Sequence, residues 1–217
     1  MNARFSEMHA SNPPHAAMKD AFATQHHLVI AGALPAATCQ LVERYALLHL
    51  NSEDYFTHDE PTQSLGRYAD AMGESMLIQM QPRLESIAGR KLIPTYSFLR
   101  FYTAGSCLRR HTDRDACEIS ATITLGYSGG SVWPLGVQAN GADHSLALDV
   151  GDMLVYRGID LPHWRDPLQQ GYWLQLFLHF VDAAGPYQGC AFDDRNSIGP
   201  NNAWVAHVVA GDKETDK

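Results

Sequence analysis

The chain has 217 residues, a length typical of one domain or of one domain with extensions. Hydrophobic residues make up 45% of it and charged residues only 18%, which supplies a core and excludes global disorder. The formal net charge of −8 argues against general nucleic-acid binding, which requires excess positive charge. No apolar run approaches the length of a membrane-spanning helix, so we expect no membrane partner.

The cysteines favour a reducing compartment. They form no CxxC pair and are too few for a disulfide framework in a chain of this length. The N-terminal region contains acidic residues and histidines but no apolar segment of the kind found in secretory signals. We therefore expect a cytoplasmic protein with four reduced thiols, which are Cys39, Cys107, Cys117 and Cys190.

Composition divides the chain into three parts. Residues 1–24 mix polar residues, prolines and histidines without periodicity, which predicts a poorly ordered N-terminal segment. Residues 25–205 contain recurring apolar patterns and predict a single folded domain. Residues 206–217 form a polar C-terminal tail.

Helical patterns occupy the first half of this domain. In chain order the sequence predicts a strand at 27–31, a helix opened by Pro35, a loop at 51–66 and a helix at 68–87. Pro82 is a candidate break in the second helix, and Gly89 is a plausible terminator.

After Arg90 the pattern changes to strands. The predicted strands are 95–103, 118–127, 144–148, 153–157 and 171–181. Turn signals separate them, and a Gly-rich connection covers 128–142. Helices followed by several short strands predict a mainly β fold, a sandwich or jelly roll with flanking helices packed outside.

One set of residues has the pattern of a metal site. His111 and Asp113 lie two apart, so on an extended segment both side chains point to the same side. With His163 they would complete a facial 2-His-1-carboxylate set, as in non-haem iron(II) oxygenases. The alternative is coincidence, because the chain has 11 histidines and His163 is equally consistent with a packed core residue.

The sequence around this set resembles a known family. The strand 92–102 ends in tyrosine and is followed by Gly105 and then by the pair at 111–113. This order is similar to that of the Fe(II)- and 2-oxoglutarate-dependent dioxygenases of the prolyl 4-hydroxylase-like type. Residues 151–156 resemble the hairpin ahead of the second metal histidine of that family, a position matched here by His163.

The closing strand 173–181 is similar to the last barrel strand of the family, so the resemblance covers about residues 25–185. It implies a double-stranded β-helix (jelly roll) oxygenase domain that binds Fe(II) through His111, Asp113 and His163. It also implies hydroxylation of a C–H bond with O2 while 2-oxoglutarate is converted to succinate and CO2. The intact Asp113 favours hydroxylation over chlorination, because related halogenases have a small residue there.

The sequence departs from the family at the co-substrate anchor. The family usually binds the distal carboxylate of 2-oxoglutarate with a Lys or Arg shortly after the second histidine, but none occurs between Asp166 and Val181. A dianion in a partly desolvated barrel requires a cation or several strong donors. Arg165, two residues after the second histidine, is the nearest candidate and Arg100 is its rival.

Three further residues are candidate co-substrate contacts. Tyr102 matches the family position whose phenol donates to 2-oxoglutarate, although packing against the core explains a strand tyrosine equally well. Thr124 lies on the polar face of its strand and reaches the co-substrate only if that face lines the barrel rather than solvent. Gln175 on the last strand carries the same ambiguity.

The substrate is expected to be a small molecule or a protein side chain. Arg109, Arg110 and Arg114 flank the first metal ligand and would attract an anionic substrate. Alternatively they pair with Asp115 and Glu118, which leaves no net attraction.

Two other classes of protein fit the same residues. A cupin-like metalloprotein would use the three ligands without 2-oxoglutarate, and the missing downstream cation is its best argument. A non-catalytic jelly-roll binding module would contain the three residues by coincidence. Metal content and a requirement for 2-oxoglutarate separate these alternatives from the oxygenase.

Overall fold

The computed structural model describes residues 15–199, and the predicted tail at 206–217 lies outside them. Within the described range, eleven strands form two antiparallel sheets, and apolar residues of both sheets share one core cluster. None of the helices in this part of the chain is long and apolar enough to cross a membrane. The helices are α1 (His15–Gln25), α2 (Ala36–His49) and α3 (Ala71–Ala88).

The larger sheet has seven strands. In spatial order they are β1 (His27–Ile30), β9 (Met153–Tyr156), β6 (Ile119–Tyr127), β11 (Tyr172–Asp182), β4 (Leu92–Thr103), β3 (Ser64–Tyr68) and β2 (Thr57–Asp59). Alternate residues of β11, such as Leu174 and Leu176, join the core beneath the helices. On the face of β6 that is turned away from this core, Ser120, Thr122 and Thr124 are also buried. The polar face of β6 therefore lines the interior rather than solvent.

The smaller sheet has four short strands. In spatial order they are β5 (Leu108–His111), β10 (His163–Arg165), β7 (Leu135–Ala139) and β8 (Ala142–Leu146). The two sheets together form the antiparallel jelly roll that the sequence predicts.

The helix α3 shows how local sequence sets an element boundary. Asp70 caps its N-terminus by accepting hydrogen bonds from the backbone N–H groups of Met72 and Gly73, and Gly89 ends it with φ of 69°. Pro82 does not interrupt the helix. The carbonyl that loses its partner belongs to Ile78, which is 46% exposed, so water can satisfy it.

Three segments differ from their predictions. Residues 1–24 were expected to be poorly ordered, but those from His15 onward form α1, which buries Met18 and Phe22 in the core. The predicted loop at 51–66 contains β2 and the start of β3, and the predicted connection at 128–142 contains β7. These strands have only three to five residues, so each offers few positions from which an alternating pattern could be recognised in the sequence.

Candidate metal centre and adjoining pocket

Two short strands and the turn after one of them bring His111, Asp113 and His163 together. His111 ends β5, and His163 begins β10 directly opposite it. Asp113 is held by a hydrogen bond from its backbone N–H to the carbonyl of Gly158 at 2.9 Å. Its Oδ1 lies 3.4 Å from Nε2 of His111 and 3.7 Å from Nε2 of His163. The three side chains thus offer their ligand atoms to one point.

Backbone hydrogen bonds fix the neutral tautomer of both rings. Nδ1–H of His111 donates to the carbonyl of Arg109 at 2.8 Å, and Nδ1–H of His163 donates to that of Leu161 at 2.9 Å. Because a carbonyl only accepts, each neutral ring carries its proton on Nδ1. Both Nε2 atoms therefore present lone pairs toward the carboxylate, an arrangement typical of metal-binding histidines.

The carboxylate of Asp113 has one oxygen without a protein partner. Oδ2 is buried and makes no hydrogen bond to any residue of the described range. Burial acts to raise the pKa of Asp113, but the interaction with His111 and the nearby His163 hold it below its ordinary value. An ionised, buried carboxylate beside two imidazole lone pairs fits a divalent cation, and the N2O donor set suits Fe(II).

These three residues line a pocket of about 110 Å³ between the two sheets. Tyr102 lines this pocket too, whereas Thr124, Arg165 and Gln175 do not. The remaining lining residues are Tyr96, Phe98, Arg100, Leu108, Tyr156, Phe177 and His179. The candidate site is therefore mostly aromatic away from the three candidate metal ligands.

Arg165 points inward from β10 on the same face as His163. Both side chains are buried, while Trp164 between them is partly exposed. The guanidinium of Arg165 lies 4.6 Å from the centre of the Trp133 ring and 5.0 Å from that of Trp173. On the last strand, Trp173 thus lies in the region where the family resemblance predicts a cation. Arg165 lies over the Trp173 ring from the opposite sheet.

Arg165 is a buried cation without a carboxylate partner in the described part of the chain. It donates to the carbonyl of Trp133 and to Oε1 of Gln175, the latter at 3.3 Å. Burial lowers its pKa to about 10, so it stays protonated at neutral pH. A buried charge surrounded by neutral acceptors favours the approach of an anion.

Gln175 and Thr124 are occupied by internal hydrogen bonds. Nε2 of Gln175 donates to Thr122 Oγ1 at 2.6 Å, and Oε1 also accepts from Trp173 Nε1 at 2.6 Å. Thr124 Oγ1 donates to the carbonyl of Leu148 at 3.0 Å. In this arrangement Gln175 orients Arg165, and neither Gln175 nor Thr124 faces the pocket.

Arg100, the rival cation, already has a carboxylate partner. Its Nη1 donates to Asp59, and also to Ser64 Oγ at 3.2 Å. Its guanidinium lies 5.6 Å from the ring centre of Tyr102. Asp59 belongs to β2, in the region predicted to be a loop, so no sequence pattern indicated this pair.

Two of the three arginines beside His111 are paired, but with other acids than expected. Arg110 pairs with Asp143, and Arg114 pairs with Asp193 at 2.6 Å. The predicted alternatives, Asp115 and Glu118, are not their partners. Two of the three arginines therefore add little net positive charge at the mouth of the site.

Two possible metal ligands near Asp113, Cys117 and His179, were not predicted as site residues. Sγ of Cys117 lies 3.2 Å from Oη of Tyr96, and burial with the charge of Asp113 raises the pKa of this thiol to about 12. Burial lowers the pKa of His179 to about 4. The alternation of β11 places His179 on the inner face with Gln175, but only the tertiary structure shows its approach to Cys117.

Comparison with known proteins identifies solved structures that share this fold. No protein-family model matches the sequence, and neither does any curated protein. Among solved structures, a prolyl-4-hydroxylase from Pseudomonas putida matches with a TM-score of 0.66 and 19% identity, covering 78% of this chain and 99% of that one. The epimerase SnoN, in complex with Fe3+, α-ketoglutarate and nogalamycin RO, matches with a TM-score of 0.69 and 11% identity, covering 86% and 91%.

A third structure, EctD from S. alaskensis with 2-oxoglutarate and 5-hydroxyectoine, matches with a TM-score of 0.62 and 13% identity. It covers 83% of this chain and 80% of that one. At these identities the likeness concerns the fold, and it confirms the architecture that the sequence resemblance implies. The chain has the jelly-roll fold of the Fe(II)- and 2-oxoglutarate-dependent oxygenases.

Proposed function

We propose that the protein is an Fe(II)- and 2-oxoglutarate-dependent oxygenase that hydroxylates an unactivated C–H bond, releasing succinate and CO2. The observation that carries the proposal is the convergence of His111, Asp113 and His163 on one point, at a pocket between the sheets of this fold. A carboxylate is present in the set, which supports hydroxylation rather than chlorination.

The side chains of the set hold the metal and leave room for its other partners. The two Nε2 lone pairs and the Asp113 carboxylate would bind Fe(II), and the carbonyls of Arg109 and Leu161 keep both rings oriented. When bound, the iron and 2-oxoglutarate supply the oxidising chemistry with O2. The aromatic walls formed by Tyr96, Phe98 and Phe177 would shield the carbon to be oxidised from water once the substrate is bound.

Tyr102 and Arg165 are the proposed contacts of the distal 2-oxoglutarate carboxylate. The positive charges of Arg100 and Arg165 both lie close enough to Tyr102 to act on its pKa, although burial has the larger effect and raises it. Arg165 has no acidic partner among residues 15–199, whereas Arg100 is neutralised by Asp59. Pairing with a carboxylate would therefore compensate the buried charge of Arg165.

The substrate is proposed to be a small molecule or a protein side chain. SnoN and EctD are recorded with small molecules, and a prolyl hydroxylase of the same fold from Trichoplax adhaerens with a peptide fragment. Anionic character would depend on Arg109, since Arg110 and Arg114 are paired. The cytoplasmic location stays a prediction, with all four cysteines free.

A cupin-like metalloprotein is the second candidate function. The observation in its favour is that Arg165 is not among the pocket-lining residues, so no free cation lines the described pocket. Such a protein would bind iron without chelating 2-oxoglutarate.

Anaerobic titration of the metal-free protein with Fe(II) and then 2-oxoglutarate tests the proposal. The chelate gives a visible metal-to-ligand charge-transfer band, which we expect to saturate near one equivalent. His111→Ala should abolish the band, while the control His144→Ala, on β8 outside the pocket, should leave it unchanged. Bound iron without a band in the unmodified protein would overturn the proposal in favour of the cupin-like alternative. No bound metal would favour a binding module.

A further inference from the structure

A second group of metal-ligating side chains adjoins the first and shares Asp113 with it. Ligand atoms of Asp113, Cys117 and His179 all lie within 4.8 Å of one another. Cys117 ends a short 3-10 helix (Asp115–Cys117), and His179 belongs to β11. Both side chains are buried, and the proposed oxygenase chemistry uses neither of them.

Hydrogen bonds orient the ring of His179 as a ligand. The hydroxyl of Ser120 donates to the carbonyl of Cys117 at 3.1 Å, so its oxygen accepts from Nδ1–H of His179 at 2.8 Å. In the neutral ring this leaves the lone pair on Nε2. The two histidines of the iron set are oriented in the same way, by a hydrogen bond from Nδ1–H. In their case the acceptor is a backbone carbonyl rather than a serine hydroxyl.

The carboxylate of Asp113 has the capacity to serve two cations. Oδ1 faces His111 and His163, whereas Oδ2 is buried without a hydrogen-bond partner in the described residues. A buried carboxylate oxygen without a donor is rare and usually indicates a bound ion or water. A thiolate held near this carboxylate would be repelled by it unless a cation lay between them.

We propose that Asp113, Cys117 and His179 form a second divalent-cation site for a borderline-soft ion such as Zn(II) or Co(II). The set of one sulfur, one nitrogen and one oxygen suits these ions better than Mg(II) or Ca(II). Binding exchanges the thiol proton of Cys117 for the metal and releases that proton to solvent, with no change of oxidation state. Because Asp113 belongs to both sets, an ion here weakens the hold of the first set on iron.

Co(II) titration under argon tests this site in the metal-free full-length protein. A thiolate bound to Co(II) gives an intense near-ultraviolet charge-transfer band, which we expect in the unmodified protein with excess Co(II). Cys117→Ser should lose the band, and His179→Gln should raise the Kd for Co(II) by about 10-fold or more. Cys39→Ser is the matched control, because Cys39 is buried in α2 within the helix-covered core, and it should retain the band.

Two variants separate this site from the proposed oxygenase site. His111→Ala should keep the Co(II) thiolate band and lose the Fe(II)–2-oxoglutarate band, whereas Cys117→Ser should show the reverse, which also proves that it folds. The absence of a thiolate band in the unmodified protein, or its persistence in Cys117→Ser, would overturn the second site. A thiolate band without any Fe(II)–2-oxoglutarate band would instead overturn the oxygenase and leave the second site standing.

Discussion

The two sheets contribute to the pocket in different ways. In the larger sheet, β4 and β11 are 12 and 11 residues long and pair along nearly their whole length. In the smaller sheet, β5 and β10 have only 4 and 3 residues, yet they carry His111, His163 and Arg165. The larger sheet supplies most of the buried apolar core, and the smaller sheet supplies two of the three proposed iron ligands together with Arg165.

A three-residue strand has few hydrogen bonds of its own, so its neighbours must orient its side chains. Trp164 of β10 packs against the backbone of Gly136 in β7, and Arg110 of β5 lies 3.7 Å from its ring centre. The proposed ligand His163 is held by the carbonyl of Leu161. We therefore expect substitutions in the larger sheet to change stability first, and those in the smaller sheet to change ligand binding first.

The largest effect is expected from removing the shared carboxylate. Asp113→Ala should abolish iron binding and succinate formation, because two imidazoles alone do not hold Fe(II) against solvent and chelators. The fold should persist, since the hydrogen bond that anchors this residue comes from its backbone. Iron content after anaerobic loading and succinate yield measure the effect. Asp115→Ala removes an exposed carboxylate two residues away and should change neither; unchanged turnover in Asp113→Ala would refute the ligand assignment.

Truncation of a core side chain in the centre of the larger sheet should instead lower the stability of the fold. Leu176 in β11 is completely buried, so Leu176→Ala should lower the free energy of unfolding by about 2–5 kcal/mol through lost burial and a cavity. Leu48→Ala removes the same atoms from a residue that is 74% exposed and should cost less than about 0.5 kcal/mol. Urea unfolding measures both. Equal losses in the two variants would contradict the packing described for β11.

The difference between the sheets also explains what the sequence could predict. The long strands have periodic patterns, so β4, β6 and β11 were found, and alternation in β6 separated Ser120 and Thr122 from the core face. The candidate iron set was predicted from two signals, the spacing of His111 and Asp113 and the family resemblance that added His163. The short strands were predicted unevenly. Sequence patterns indicated β1, β8 and β9, whereas β2, β5, β7 and β10 were missed, because a strand of three to five residues carries little periodicity of its own.

Partnerships across the barrel were also beyond the sequence. The pairing of Arg100 with Asp59 and the approach of His179 to Cys117 depend on how strands far apart in the chain align. A register shift of one residue would turn His179 to the opposite face of the sheet. Among residues 15–199, the lack of a carboxylate partner for Arg165 is likewise a property of the assembled barrel.

Arg165 and Arg100 provide a matched test of co-substrate binding across the two sheets. Arg165→Met should raise the Kd for 2-oxoglutarate about 10- to 150-fold, the loss of one charge-assisted interaction worth about 1.5–3 kcal/mol. Arg100→Met should have a smaller effect, because Asp59 already neutralises Arg100. Titration of the charge-transfer band gives both constants, and iron affinity should not change in Arg165→Met. A larger effect in Arg100→Met would reassign the anchor to the larger sheet.

The smallest effect tests whether a neighbouring strand orients the ligands of β10. A Cβ at Gly136 would overlap the ring of Trp164, so Gly136→Ala must displace that ring or β7. Overpacking of this kind costs about 1–3 kcal/mol in stability. Because Trp164 lies between His163 and Arg165, we also expect weaker binding of both iron and 2-oxoglutarate. Gly189→Ala is the matched control, since a Cβ there meets nothing within 4 Å. If Gly136→Ala lowered stability yet left both affinities unchanged, β10 would hold its side chains without help from β7.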